Sequence, residues 1–292
     1  MADSQFKIWW LACRPKTLPA AAAPVIIGTA LAVAHQSFHL LSAIAALFGA
    51  LFIQIGTNLA NDYFDFKKGT DREDRLGPTR VTQAGLVSPQ AVKNATIIAF
   101  CLAFFVGIFL VYRAGLPIVV IGLCSILFGV LYTGGKYPIG YIGLGEVFVL
   151  LFFGPVAVGG TYFVQTLTIT NDVLIVGLAP GLFSSAILVV NNLRDIEADR
   201  ISGKKTLAVR FGSNFSKIQY TFFMIIASLV PIYFYLQSEN LIHLLPVVML
   251  IPSLIAVKII YTKTGRELNN LLALTGKILF VYAVLFAIGW LM

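Results

Sequence analysis

Two short stretches concentrate most of the chemistry this chain can do. Residues 61–75 read NDYFDFKKGTDREDR, and residues 191–205 read NNLRDIEADRISGKK. Of the 13 acidic residues, eight lie here: Asp62, Asp65, Asp71, Glu73, Asp74, Asp195, Glu197 and Asp199. On a helix end, Asp62 and Asp65 (i, i+3) share a face, as do Asp195 and Asp199 (i, i+4). Carboxylates so placed repel one another unless a cation lies between them. Mg2+ prefers hard oxygen ligands and commonly binds through a few carboxylates plus substrate phosphates. Lys67, Lys68, Arg72, Arg194, Lys204 and Lys205 alternate with the acids and can hold phosphate oxygens. The expected chemistry is a metal-bridged diphosphate. A pair of solvated loops is the plainer alternative; it accounts for the basic residues but not for the gathering of acids.

Each stretch follows an apolar run that must position it. The chain of 292 residues is 58% hydrophobic and only 12% charged, about half the charged share of soluble domains, and its mean hydropathy is +0.88. The lipid bilayer is therefore the expected solvent. Nine segments meet the length needed to span it: 17–34, 40–61, 94–112, 115–133, 144–164, 172–191, 219–236, 241–261 and 271–291. With the N-terminus inside, 19 of the 21 lysines and arginines fall on the cytoplasmic side; Arg113 lies outside and Lys277 within the last span. The expected fold class is thus an all-α integral membrane protein of one domain, residues 1–292, with nine transmembrane helices and a cytoplasmic N-terminus. Four spans separate the two acidic stretches, so two four-helix units run in the same direction, with helix 9 appended, around a central cavity.

The net charge of +8 follows from the loops, and no nucleic-acid-binding pattern accompanies it. Cys13, Cys101 and Cys124 form no CxxC, and His35 and His39 have no third ligand nearby, so neither a disulfide framework nor a zinc site is expected. The apolar run after Lys16 is longer than a signal-peptide core and reads as the first retained helix.

The residues NDxxD at 61–65 and DxxxD at 195–199 resemble the two motifs of the UbiA superfamily of intramembrane aromatic prenyltransferases. The resemblance extends through RPKTL at 14–18, NLANDYFDFKKGTD at 58–71, YTGGKYPIGYIGLGE at 132–146, FGPVAVG at 153–159 and NNLRDIEADRISGKKTLAVRFG at 191–212. Many members carry a third acid four residues after the second. Here Gly69 occupies that position and Asp71 follows two later, a form similar to the branch acting on 1,4-dihydroxy-2-naphthoate in menaquinone synthesis.

The resemblance implies a Mg2+-dependent transfer from a polyprenyl diphosphate, in a bacterial cytoplasmic membrane with the active site facing the cytoplasm. Asp62, Asp65, Asp195 and Asp199, with Asp71, would hold Mg2+ on the diphosphate. Asn58, Asn61, Asn191 and Asn192 would orient these carboxylates or bind phosphate, and Lys68, Arg194 and Lys205 would neutralise the leaving diphosphate. Tyr63 and Tyr132 would offer ring faces to the allylic cation. The ring carbon bearing the naphthoate's carboxylate would then attack, with loss of CO2. Arg14 has two readings, a grip on the acceptor carboxylate or an orientation charge. Glu146 either accepts a phenolic proton or pairs with Lys136. Lys277 either lines the cavity or snorkels. Another aromatic acceptor within the superfamily is the nearest alternative function; a transporter is a remoter one, disfavoured because the acids cluster at helix ends rather than at mid-membrane.

Overall fold

The computed structural model describes residues 4–70 and 76–292, and the described residues contain no strand. In chain order the α-helices are α1 (Gln5–Cys13), α2 (Leu18–Ala34), α3 (Leu40–Lys67), α4 (Pro89–Ala114), α5 (Leu116–Leu131), α6 (Gly145–Phe152), α7 (Pro155–Thr166), α8 (Asn171–Arg194), α9 (Ile196–Ile201), α10 (Leu207–Ser238), α11 (Leu250–Thr262) and α12 (Leu268–Leu291). Among these residues eight helical stretches are long and apolar enough to cross a membrane. The ninth expected segment is present as α5, apolar but only 16 residues long, short of the ~20 that a span usually needs.

Three features depart from a set of plain spans. First, α3 continues through the acidic motif to Lys67, so Asp62 and Asp65 ride on its last turns rather than in a loop. Second, the segment expected at 144–164 is two helices broken at Gly154. The break lies against α8: a Cβ on Gly154 would stand 2.6 Å from the carbonyl oxygen of Gly177, and one on Gly181 would stand 2.4 Å from that of Leu150. Only backbone fits between these helices, the close approach by which small residues join helices in lipid. Third, α1 is a separate helix, turned away from α2 at Arg14, whose left-handed backbone (φ 52°) caps it. Its Ile8 and Ala12 pack on Leu59, Val81, Val87 and Val92. Phe6 and Trp10 stay exposed, as aromatic side chains do at a membrane surface.

The largest buried cluster joins α2, α7, α8, α10 and α12, with Ile27, Phe183, Tyr220, Met224, Leu271, Tyr282 and Phe286 fully enclosed. This packing brings the C-terminal ends of α3 and α8 to the same end of the bundle, where both acidic motifs border one chamber.

Candidate active site

That chamber has a volume of about 480 Å3 and is bordered by Asn61, Asp65, Asn191, Asn192, Asp195 and Asp199 from the two motifs. Helix ends position them. Asp65 lies on the last turns of α3, while α8 stops at Asp195 (φ −100°, ψ 11°), from which α9 starts. The Asp199 amide donates to the Asp195 carbonyl at 2.8 Å, which keeps the second pair on one face.

Each carboxylate has defined partners. Asp65 is 2% exposed. Its Oδ2 accepts from Arg80 Nη2 at 2.9 Å, its Oδ1 accepts from the Tyr141 hydroxyl at 2.6 Å, and Lys204 Nζ stands 3.9 Å from the same oxygen. Asp62 Oδ2 accepts the Val81 amide at 3.1 Å, while its Oδ1 is buried without a hydrogen-bond donor among the described residues. The Arg14 guanidinium acts on its charge. Asp199 lies 3.6 Å from Lys204 Nζ. Burial pushes the Asp199 carboxyl up to about 6 against the pull of Lys204, with Asp195 and Asp65 adding like-charge repulsion. Asp71 lies outside the described residues.

The polar residues expected around the carboxylates divide into those that face the chamber and those that hold its walls. Asn61 lines it and accepts from the Thr133 hydroxyl at 2.9 Å. Asn58 sits deeper, donating to Thr17 Oγ1 and the Cys13 carbonyl, and so pins the α1–α2 elbow to α3. Lys68 turns to the loop after α5, donating to the carbonyls of Thr133 (2.6 Å) and Gly135 (3.1 Å). Burial and the nearby Lys204 depress its ammonium pKa, while Asp65 opposes them. Arg194 is 4% exposed; its donors are spent on Asp195, Asn191 and Asn269, so it orients the wall instead of facing the cavity.

Lys205 is exposed, with its backbone tied to Tyr141 and Arg210; of this pair it is the neighbouring Lys204 that borders the chamber. Glu146 is buried outside the chamber, where it accepts from Asn192 at 2.9 Å. Tyr63 packs on the α1 cluster. Lys277 is exposed on α12 and does not line the chamber.

Arg14 borders the chamber, and Tyr132 borders both it and a second cavity of about 470 Å3. This second cavity is walled by aliphatic and aromatic side chains of α2 to α7, with Gln54, Thr57 and Tyr132 among its few polar members. The site thus has a charged compartment and an apolar one sharing a tyrosine.

Two further chamber residues, Arg80 and Tyr141, have no helical periodicity to announce them. Tyr141 is carried in by a loop whose Gly143 (φ +82°) lets backbone approach backbone, since a Cβ there would meet the Lys205 carbonyl at 2.9 Å. Its ring centroid then lies 4.9 and 4.7 Å from the ammonium groups of Lys68 and Lys204.

No group of three His, Cys, Asp or Glu among the described residues stands close enough to hold a metal by itself. Mg2+ does not demand such a cage; it typically takes one or two carboxylates and completes its shell with water and substrate phosphates. Asp62 does not line the chamber, but the carboxylate oxygens of Asp65 and Asp199, which meet cationic side chains able to turn aside, fit that mode.

Residues 21–274 match the UbiA prenyltransferase family. A 1,4-dihydroxy-2-naphthoate octaprenyltransferase from Haemophilus influenzae is 35% identical over 303 residues, spanning 100% of this chain and 98% of that one. One of the same name from Escherichia coli is 43% identical over 215 residues, or 72% and 70% of the two chains. The fold is shared with a UbiA homolog from Archaeoglobus fulgidus bound to GPP and Mg2+, at a TM-score of 0.69 and 14% identity over 96% of this chain and 99% of that one. With the family's region spanning most of its length, this chain belongs to the UbiA prenyltransferase family.

Proposed function

We propose that this enzyme transfers a polyprenyl group from polyprenyl diphosphate to 1,4-dihydroxy-2-naphthoate, with decarboxylation, in menaquinone synthesis. The observation that carries the reading is the junction at Tyr132 between a chamber lined by both acid motifs and an apolar cavity. An allylic diphosphate has the same two halves. The names of the Haemophilus and Escherichia relatives supply the acceptor.

In this reading Asp65, Asp195 and Asp199, helped by Asp62 and Asp71, hold Mg2+ on the diphosphate. The metal supplies charge neutralisation to the leaving group. Arg80 and Lys204, now paired with Asp65 and Asp199, turn to the diphosphate oxygens as its charge develops. The prenyl chain fills the apolar cavity, and the Tyr132 ring lies at the junction, where the allylic carbon loses its C–O bond. Arg14 holds the acceptor carboxylate over that carbon. The ring carbon bearing the carboxylate forms the new C–C bond, and departure of CO2 returns its bonding electrons to the ring. This sequence needs no general base at the ring carbon, in keeping with the position of Glu146 behind Asn192.

We further propose that α5 is a ninth span, tilted or in locally thinned bilayer, so that the N-terminus and chamber face the cytoplasm of a bacterial inner membrane. The chain then forms one domain of two four-helix repeats plus α12. Support comes from the charge bias and from the pairing of helices: α3 packs most extensively on α4, and α8, at the equivalent place, on α10.

The test is turnover. Detergent-purified protein is incubated with dihydroxynaphthoate, an allylic diphosphate and Mg2+, with and without chelator, beside an Asp65→Asn, Asp195→Asn variant. Prenylated naphthohydroquinone, read as the quinone after oxidation by air, and CO2, both lost with chelator and in the variant, are expected. Turnover only with a different aromatic would sink the acceptor assignment, and absence of diphosphate release with any acceptor would sink the mechanism.

A further inference from the structure

We propose that Asn269, on the first turn of α12, is a positioning residue that ties the two halves of the site together. The inference rests on the reading of the chamber as a Mg2+–diphosphate site. Asn269 borders the chamber beside Leu272. Its Oδ1 accepts from Arg194 Nη1 at 2.7 Å, and its Nδ2 donates to the Leu76 carbonyl at 2.9 Å. Chemistry dictates this orientation of the amide, because a guanidinium can only donate and a carbonyl can only accept.

Both contacts lead to metal-site carboxylates. Arg194 grips its neighbour Asp195 with Nε and Nη2. Such a grip between adjacent residues is free to swing unless the guanidinium plane is held from its far side. Asn269 and Asn191 hold it. On the other side, Leu76 begins the segment that returns through Arg80, on Asp65, and the Val81 amide, on Asp62. One side chain therefore spans 193 residues of sequence to link the walls carrying Asp195 and Asp65. Leu268, Leu271 and Leu272 anchor the turn in the core, while the adjacent Asn270 is exposed. The last helix lies outside the pairing of the two four-helix units, and through Asn269 it fixes the distance between the two acid motifs.

No common side chain of the same size offers one acceptor and one donor in this arrangement. Asn269→Asp keeps the acceptor for Arg194 but faces the Leu76 carbonyl with a second acceptor. Asn269→Leu removes both ties at nearly constant volume. The experiment measures binding of inorganic pyrophosphate with Mn2+ by calorimetry, backbone hydrogen exchange and melting temperature, for these variants and for Asn270→Leu.

Asn269→Leu is expected to weaken pyrophosphate binding by at least about tenfold and to raise exchange over residues 76–81 and 195–199. Asn269→Asp should raise exchange over 76–81 alone and bind at an intermediate strength. Asn270→Leu should match the wild type throughout. Wild-type binding and exchange in Asn269→Leu would overturn the proposal. So would a loss in Asn269→Asp equal to that in Asn269→Leu together with a general fall in melting temperature, since that pattern marks plain packing. If the wild type itself fails to bind pyrophosphate, the reading of the chamber falls. The exchange pattern over 76–81 then decides the tie alone: selective loss of protection supports it, and unchanged protection removes it.

Discussion

Replacing Arg80 with methionine keeps most of the length of the side chain and deletes the cation on Asp65. The two groups are 2.9 Å apart, with side chains 8% and 3% exposed. At an effective dielectric of 20 their bare attraction is about 6 kcal/mol, most of it offset by the cost of burying both charges. Breaking a buried pair by removing one partner typically costs about 3–5 kcal/mol. Here Asp65 keeps the Tyr141 hydroxyl at 2.6 Å and the more distant Lys204 ammonium at 3.9 Å, so the loss falls toward the value of one charged hydrogen bond, about 2–3 kcal/mol. For a chain of this size that is a drop of about 5 °C in melting temperature, measured in detergent with chelator present. Saturating Mg2+ supplies Asp65 with a new counter-charge, so the gap between variant and wild type should shrink by about half or more. Turnover should fall even so, because in the proposed mechanism Arg80 also turns to the departing diphosphate. An unchanged melting temperature in chelator would refute the pairing argument, and a gap indifferent to Mg2+ would refute the view that Arg80 and the metal serve the same carboxylate.

In the proposed site, Asp199 would make metal binding sensitive to pH. Its carboxyl is raised to about 6, so below that pH Mg2+ must displace a proton, and the apparent affinity should fall by up to about tenfold per pH unit; a flat pH profile by calorimetry would contradict this. The sign for folding is the opposite of the usual carboxylate. The native state holds a proton that the unfolded chain, with an ordinary value of 3.8, has lost, so the contribution of Asp199 to metal-free stability should fall as pH rises from 3.8 toward 6, and Asp199→Asn should reduce that slope. Gly122 borders the apolar cavity, with nothing within 4 Å of a Cβ added there. Gly122→Phe should therefore fold normally, keep turnover of a short allylic diphosphate and lose that of long ones, as read from product lengths. At Gly181 a Cβ would stand 2.4 Å from the Leu150 carbonyl oxygen. Gly181→Val should force α6 off α8 and abolish recovery of monodisperse protein, whereas Gly107→Val, where a Cβ meets nothing within 4 Å, should not.

The placement of the long apolar helices along the chain was legible in the sequence because it depends on local properties. An apolar run of span length must be helical in lipid, so among the described residues eight of the expected segments are long apolar helices, α5 is a shorter one, and the acid motifs fall on helix ends. The gathering of the acids in two stretches was also legible, and the fold brings residues of both stretches to one chamber. Which neighbour serves them was decided by tertiary structure. Lys204 borders the chamber and Lys205 does not; Tyr63 turns to α1 while Tyr132 turns inward; Arg194 is consumed in holding Asp195. Neighbouring residues on a helix end or in a turn point in different directions, and only the packing of distant segments says which direction is the cavity. Arg80, Tyr141 and Asn269 reach the site from three separate parts of the chain. They leave no local signal because what selects them is an interaction across the fold, a hydrogen bond to a partner far away in sequence, and periodicity and composition carry no record of it.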